Sequence, residues 1–269
     1  MNAQAPLQDI VDPFVRGLGG ELVSEIVGNE SPISSADYLF QHHNVLAELK
    51  SLQEESFNES LREKLGERMA EWLRRSRIVV FGTTRIDSNR LTPDCQREMN
   101  DLIASHLQNN VVRKANRQIR STKQSLQMPN AKGLLWVASD GNVDLPPNTV
   151  WLLLNRILQK KTDSGEPQYS NIHALAYFSP RMLVALPGSS QPAQFWLSGV
   201  RNNDDKELSA FLGELCEAWR RYLGALHGIE VKQVEGVLPP PAEFEFLGGR
   251  PRLPQIDIRG SSRSDPRKR

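Results

Sequence analysis

Three charged residues in a short and mostly apolar stretch have the types and spacing needed for metal-assisted hydrolysis of a phosphodiester. Residues 36–52 are predicted to form two short strands joined by a polar turn, with Asp37 near the start of the first strand and Glu48 and Lys50 in the second. Alternate residues of a strand share a face, so Glu48 and Lys50 point the same way while their apolar neighbours point into a core.

An acid and a base on a largely apolar strand are costly to bury unless something ionic holds them. A divalent cation bound by the carboxylates of Asp37 and Glu48 would do so, with Lys50 facing a phosphate or a water molecule. Such a cation activates water and neutralises the charge that builds on the phosphate. This chemistry requires no His, Ser or Cys nucleophile.

The spacing also resembles a known pattern. Asp37, ten intervening residues and then Glu48-Leu49-Lys50 are similar to the PD-(D/E)xK signature of restriction-endonuclease-like nucleases, although Ala36 stands where the family often has proline. The resemblance covers the hairpin and, more loosely, the chain out to about Gln118. It implies an α/β fold with a central mixed sheet flanked by helices, a Mg²⁺ or Mn²⁺ cofactor held by Asp37 and Glu48, and a nucleic-acid substrate.

The Glu-x-Lys string is weak by itself, because a second copy occurs at Glu230-Val231-Lys232. That copy follows a helical pattern and has no acidic residue in a preceding strand. Only the copy at Glu48 has a strand, a partner acid, a turn and a later basic helix. The alternative for this copy is an ordinary hairpin whose charges face solvent.

Residues 111–124 are predicted to form that basic helix. Arg113, Arg117 and Arg120 fall at i, i+4 and i+7 and form an outward stripe, while the inward face is smaller and more apolar. We expect these arginines, together with Lys123, to bind backbone phosphates without reading sequence. An ordinary surface helix with a solvated arginine row is the alternative.

The resemblance further implies that this helix places a Gln or a Lys beside the active centre. Gln118, at the edge of the inward face, is the residue carried over, and Lys123 and Lys114 are lesser options. The resemblance also allows an acid from a helix before the first strand, for which Glu25 is a weak candidate. Glu21 and Glu25 are four apart, and both are alternatively solvated helix charges.

Outside the hairpin, periodicity predicts one α/β domain over residues 1–235, with a helical insertion over 54–110, and a Pro/Gly/Arg-rich tail over 236–269 that is expected to be disordered. The remaining elements are predicted helices over 6–27 (interrupted), 54–77, 93–107, 147–159 and 205–226, strands over 133–139 and 172–178, and edge strands over 182–186 and 194–197.

Composition narrows the class of protein. The chain has 269 residues, 39% apolar residues and a net charge of +1, so any contact with nucleic acid must come from a local basic patch. Its two cysteines are too few for a disulfide framework or a zinc site. With no signal-peptide pattern and no apolar run near the ~20 residues of a membrane span, a cytoplasmic location is expected.

These observations together predict a Mg²⁺-dependent nuclease, with DNA favoured over RNA as substrate and a homodimer left open. A catalytically inactive, nuclease-like module that binds nucleic acid or protein is the alternative.

Overall fold

A mixed seven-stranded sheet organises the chain in the computed structural model, which describes residues 6–28, 35–52, 59–79, 91–139, 147–184, 191–232 and 244–246. Six strands follow one another in sequence order across the sheet, and the seventh pairs with the fifth. The strands are β1 Glu21–Leu22, β2 Tyr38–Phe40, β3 Val45–Ser51, β4 Lys132–Ala138, β5 Ala174–Val184, β6 Ala193–Val200 and β7 Phe244–Phe246.

Strand direction changes within the sheet. The central strands β3, β4 and β5 are parallel, whereas β1, β2, β6 and β7 each run antiparallel to the strands they pair with. Parallel neighbours need long crossover connections, and here helices supply them. An α/β fold with a mixed sheet flanked by helices is therefore confirmed.

The helices are α1 Leu7–Gly17, α2 Val23–Val27, α3 Glu59–Arg74, α4 Pro93–Leu107, α5 Arg113–Ser125, α6 Pro147–Leu158 and α7 Lys206–His227. Local signals set several of their ends. Thr92 caps α4 by accepting a hydrogen bond from the Cys95 N–H, and Asp205 caps α7 by accepting one from the Leu208 N–H. None of the helices in the described ranges is long and apolar enough to cross a membrane.

The helical structure that begins with α4 does not end at residue 110, where the predicted insertion was expected to end. A π-helical turn, Gln108–Val112, joins it to α5, so residues 93–125 form one continuous helical run. Val111 and Val112 in this turn are fully buried. The extra residue of a π turn rotates the following helix relative to the preceding one, so that apolar residues on both sides of it face the sheet.

Two apolar layers cover the two faces of the sheet, which explains why β4 is a nearly continuous apolar run. On one face, Trp136 packs against Phe14 of α1 and Trp219 of α7, with ring centroids 5.9 and 6.4 Å away. On the other face, Leu135 and Val137 share a cluster with residues of α4, α5 and α6. Every residue of β3 is buried between these layers.

Three sequence predictions differ from the observed elements. The separate strands expected over 172–178 and 182–186 are one strand, β5, with an irregular pairing to β6 between Phe178 and Leu183. Residues 21–22 form a strand rather than continuing a helix, after a break at Gly19, whose φ is +76°. Residues 244–246 lie inside the predicted tail but form β7, while residues 233–243 and 247–269 lie outside the described part.

Candidate active site

The β2–β3 hairpin brings Asp37 beside the strand that carries Glu48. Tyr38 of β2 lies opposite Ala47 of β3. Asp37 directly precedes Tyr38, and its own N–H also donates to Ala47, at the carbonyl oxygen. The Asp37 backbone therefore lies beside β3, next to the residue that precedes Glu48.

Backbone hydrogen bonds fix Asp37 on three sides. Its Oδ2 accepts the N–H of Leu49 at 2.7 Å, its own N–H donates to the Ala47 carbonyl at 3.1 Å, and its carbonyl accepts the Val23 N–H at 2.9 Å. The carboxylate is thus tied directly to the backbone between Glu48 and Lys50. Such bonds hold a short side chain in one orientation without help from solvent.

Glu48 and Lys50 share a face, as predicted, and form an ion pair there. The Lys50 Nζ atom lies 2.7 Å from Glu48 Oε1, and the two side chains are 7% and 0% exposed. The sequence pattern placed only the apolar residues of this strand in a core, but the face with Glu48 and Lys50 is covered as well. Removing one member of such a pair would leave a buried charge uncompensated, because water is largely excluded.

Helix α5 lies over this face and holds the backbone that precedes Asp37. The Ala36 N–H donates to Thr122 Oγ1 at 2.7 Å, and the Thr122 hydroxyl donates to the Gln118 carbonyl at 3.0 Å. The Gln118 side chain donates from Nε2 to the Ser35 carbonyl at 3.1 Å. Gln118, chosen from the resemblance, therefore contacts the chain two residues before Asp37.

Thr122 is a positioning residue that sequence reasoning placed on the inward face without assigning it a role. Its side chain is fully buried, and its hydroxyl bridges α5 and the residue preceding Asp37. The sequence signal that could have identified Thr122 is its spacing. It lies four residues after Gln118, so both residues lie on the same helix face in neighbouring turns.

The negative charges near the hairpin also act on Tyr38, whose side chain lies on the opposite face of the sheet. The Tyr38 hydroxyl donates to Asp12 Oδ1 at 2.7 Å. Burial is the main cause of a raised pKa for Tyr38, and the bond to Asp12 and the charges of Asp12, Asp37 and Glu48 add to it. The charges of both candidate carboxylates thus act on the Tyr38 hydroxyl.

Glu25 forms its ion pair outside the hairpin that carries Asp37 and Glu48. It belongs to the short helix α2 and forms an ion pair with Arg16, with Nη2 and Oε1 2.5 Å apart and both side chains more than half exposed. The hydrogen bond from Arg16 is the main cause of its lowered pKa. Over the described ranges, no group of three or more His, Cys, Asp or Glu side chains could hold a metal ion.

The oxygen donors present fit Mg²⁺ in number and type. Mg²⁺ in proteins is usually held by one or two carboxylates, with waters and substrate phosphates completing its shell. Asp37 and Glu48 supply two carboxylates, one from the residue before β2 and one from β3. A cation here would replace the Lys50 ammonium as the partner of Glu48 Oε1.

The predicted basic stripe is exposed on α5. Arg113, Arg117, Arg120 and also Lys114 are solvent-facing, and none of them forms an ion pair with another residue of the described part. Lys123 differs from them, because it is buried with 8% of its surface exposed. Its position is therefore on the covered side of the helix and not in the arginine row.

Two open clefts on the described surface lie away from the hairpin. One, of about 500 Å³, is lined by charged residues of α4 and of the segment that follows α3, including Arg77 and Glu98. The other, of about 230 Å³, lies between α4 and α6. Both belong to the helical insertion and its contacts, so they do not mark the acidic pair.

Comparison of the chain with protein-family models, with curated proteins and with solved structures gives no significant match. Function therefore has to be inferred from the geometry of the site alone.

Proposed function

We propose that this protein is a metal-dependent nuclease that hydrolyses phosphodiester bonds of nucleic acid, with DNA the favoured substrate. The observation that supports the proposal most is the hydrogen bond from the Leu49 N–H to Asp37 Oδ2, which ties this carboxylate to the backbone between Glu48 and its partner Lys50. The mixed sheet with flanking helices is compatible with a restriction-endonuclease-like core.

In this proposal, Asp37 and Glu48 would hold Mg²⁺ or Mn²⁺, and the bound cation supplies electrostatic stabilisation of the charge that develops on the phosphoryl oxygens. Asp37 is already oriented by the Leu49 N–H. The Lys50 ammonium would move from Glu48 to the scissile phosphate. There it would balance the negative charge of the phosphate while water attacks. Gln118 and Thr122 keep the backbone before Asp37 in place.

The exposed arginines of α5 provide the contact with the rest of the substrate. A planar guanidinium binds phosphate oxygens in pairs, and such contacts carry no sequence information. Arg113, Arg117 and Arg120 lie on the same helix as Gln118 and Thr122. We therefore expect a substrate strand held along α5 to pass the hairpin.

The test is cleavage of labelled single-stranded DNA, double-stranded DNA and RNA by the full chain with Mg²⁺ or Mn²⁺, and with EDTA instead. Asp37→Asn, Glu48→Gln and Lys50→Met are expected to lower the rate at least a hundredfold. Glu63→Gln, on the exposed side of α3, is the control and keeps the rate. Equal cleavage by all four variants, or none by the wild type, would contradict the proposal.

One observation favours a second candidate function, that of a nucleic-acid-binding module without catalytic activity. Glu48 is fully buried and already paired with Lys50. Breaking that pair to admit a cation has a free-energy cost that binding must offset. This candidate predicts salt-dependent binding of the same oligonucleotides by the wild type and by Asp37→Asn, with no product from either in Mg²⁺ or Mn²⁺.

A further inference from the structure

The smaller of the two surface clefts continues the arginine row of α5. This cleft, of about 230 Å³, lies where the last turns of α4 and α6 meet. Residues of α4 and the π turn line one side, among them Gln108 and Asn109, and Arg156 and Lys160 line the other. Since Arg113 follows Asn109 by four residues in the same helical run, the row begins about one helical turn beyond the cleft.

Hydrogen bonds hold the segment after α6 against the helical run that carries the row. The Lys160 ammonium donates to Gln108 Oε1 across the cleft. Farther along, Asn116 Oδ1 in the first turn of α5 accepts the N–H of Asn171 at 3.1 Å. The cations at the end of α6 and those of α5 therefore lie on elements that contact each other directly.

The cations of the cleft have little local compensation. The Arg156 guanidinium lies 3.9 Å from Asp101 Oδ1, and both side chains are more than half exposed, so this ion pair is weak. Among the described residues, the Lys160 ammonium contacts the neutral amide of Gln108 and no carboxylate, and the exposed Lys161 forms no ion pair.

Positive charge is concentrated in the two segments that build this surface. Residues 101–125 and 147–171 together contain eight Lys or Arg and three Asp or Glu, a net charge of +5 in a chain whose total is +1. A local excess of exposed cations next to an unpaired arginine row favours a polyanionic partner over a neutral one.

We infer that the cleft is a second backbone-binding subsite for nucleic acid, in which Arg156 and Lys160 hold phosphates of the same strand that the arginine row of α5 binds. Phosphate contacts of this kind position a strand without reading its bases. The inference rests on the proposed contact between α5 and nucleic acid, but it does not require cleavage.

The helical run sets the length of this binding track. Ser105, which lines the cleft, and Arg120 are 15 residues apart, which corresponds to roughly 22 Å at 1.5 Å per residue. A strand of B-DNA advances 3.4 Å per nucleotide, so the track accommodates about six or seven nucleotides. Thr122, near the other end of α5, contacts the residue before Asp37. The bound strand therefore extends from the acidic pair towards the π turn.

The test is fluorescence anisotropy of a labelled DNA duplex of about 20 base pairs, longer than the track, with the full chain in EDTA over a salt series. Arg156→Gln combined with Lys160→Gln is expected to weaken binding roughly tenfold and to make the slope of log K against log salt shallower by about two. Lys206→Gln combined with Arg221→Gln removes one exposed lysine and one exposed arginine from α7, and this matched control binds as the wild type does.

Asn109 provides a second and more local test, because it is exposed and lines the cleft without carrying charge. Asn109→Glu places a carboxylate where the strand would pass and is expected to weaken binding roughly tenfold through repulsion of phosphate. Asn109→Gln keeps the amide and is expected to bind as the wild type does. Equal affinities of these two variants would contradict a strand in the cleft.

The outcomes separate this inference from the proposed function. Weaker binding by the triple Gln variant of the arginine row, with unchanged binding by the Arg156→Gln and Lys160→Gln variant, overturns the cleft subsite alone. Unchanged binding by both variants, or no binding by the wild type, overturns the subsite and the proposed contact of α5 together. Binding that depends on both surfaces without cleavage in Mg²⁺ supports the subsite and contradicts only the nuclease activity.

Poly-glutamate in place of DNA distinguishes nucleic acid from an acidic protein segment. We expect it to bind more weakly than the duplex at equal charge concentration, since it lacks phosphate oxygens for bidentate contact with arginine. Tighter binding of poly-glutamate that is lost in the Arg156→Gln and Lys160→Gln variant would assign the cleft to an acidic protein and overturn the inference.

Discussion

Lys50 and Glu48, two residues apart on one central strand, form an ion pair of 2.7 Å in which the side chains are only 7% and 0% exposed. Strand β3 has β2 on one side and β4 on the other, and both faces are covered, so neither group can turn to bulk water. The pair therefore links the stability of the fold to the candidate site.

Replacing one of the two charged residues of this pair should destabilise the fold. Lys50→Met leaves the buried Glu48 carboxylate without its ammonium, and we expect the free energy of unfolding to fall by about 3–5 kcal/mol. Glu48→Leu combined with Lys50→Met should recover most of this loss, because two apolar groups of similar volume replace both charges. Urea unfolding followed by tryptophan fluorescence measures each value.

The control for this prediction is an exposed pair of the same length. Arg97 and Asp94 are 2.7 Å apart, but their side chains are 70% and 73% exposed. Arg97→Met should change the free energy of unfolding by less than about 1 kcal/mol. A Lys50→Met variant as stable as Arg97→Met would show that Glu48 finds compensation elsewhere.

Thr122 should contribute to the stability of the fold through its hydroxyl group and not through the volume of its side chain. Thr122→Val keeps the volume but leaves the buried Ala36 N–H without its acceptor, at a cost of about 1–3 kcal/mol. Thr122→Ser retains the hydroxyl and is expected to lose less. Amide hydrogen exchange at Ala36 is the direct measurement, and it should accelerate in the valine variant only.

If the proposed nuclease activity holds, Thr122→Val should also need more Mg²⁺ for half-maximal rate, since Asp37 directly follows Ala36. Thr122→Ser is the comparison for this effect. An unchanged Mg²⁺ requirement alongside faster exchange would limit Thr122 to a purely structural role.

The arginine row of α5 should control nucleic-acid affinity without affecting the fold. Replacing Arg113, Arg117 and Arg120 together by Gln should weaken binding and make the slope of log K against log salt shallower by about one for each phosphate that is no longer bound. Arg221→Gln, an exposed arginine of α7 on the other face of the sheet, is the matched control. Fluorescence anisotropy over a salt series measures both. An identical salt slope in the triple variant and in Arg221→Gln would exclude α5 as the binding surface.

His173 should make the protein less stable in mild acid. Its folded pKa is lowered to about 4, mainly by burial, from an ordinary value of 6.5. Between pH 6.5 and 4 the unfolded chain therefore binds a proton that the folded chain does not, and stability falls as the pH falls through this window. The loss should be on the order of 2 kcal/mol, allowing for partial exposure.

His173→Asn tests this pH dependence, because the Asn carbonyl can accept the Gly133 N–H in place of Nδ1. The variant should show a shallower loss of stability between pH 6.5 and 4, measured by urea unfolding in buffers that together cover this range. Parallel curves for the wild type and the variant would assign the acid sensitivity to other groups.

Local patterns in the sequence predicted much of this fold. The alternation around Glu48 identified β3, the continuous apolar run after Lys132 identified β4, and the apolar stripe of residues 205–226 identified α7. The common face of Glu48 and Lys50 also followed from strand geometry alone. Each of these features depends on residues that are close together in the chain, which is why periodicity can reveal them.

Only the tertiary structure decided how these pieces meet. The Ala36–Thr122 bond joins residues 86 positions apart, and Lys123 is buried although it lies on the same helix as the exposed arginine row. The union of two predicted strands in β5 and the pairing of β7 with it were likewise invisible locally. Side-chain type and spacing determine which groups could do chemistry, but burial and pairing arise from contacts between distant segments, for which no local period exists.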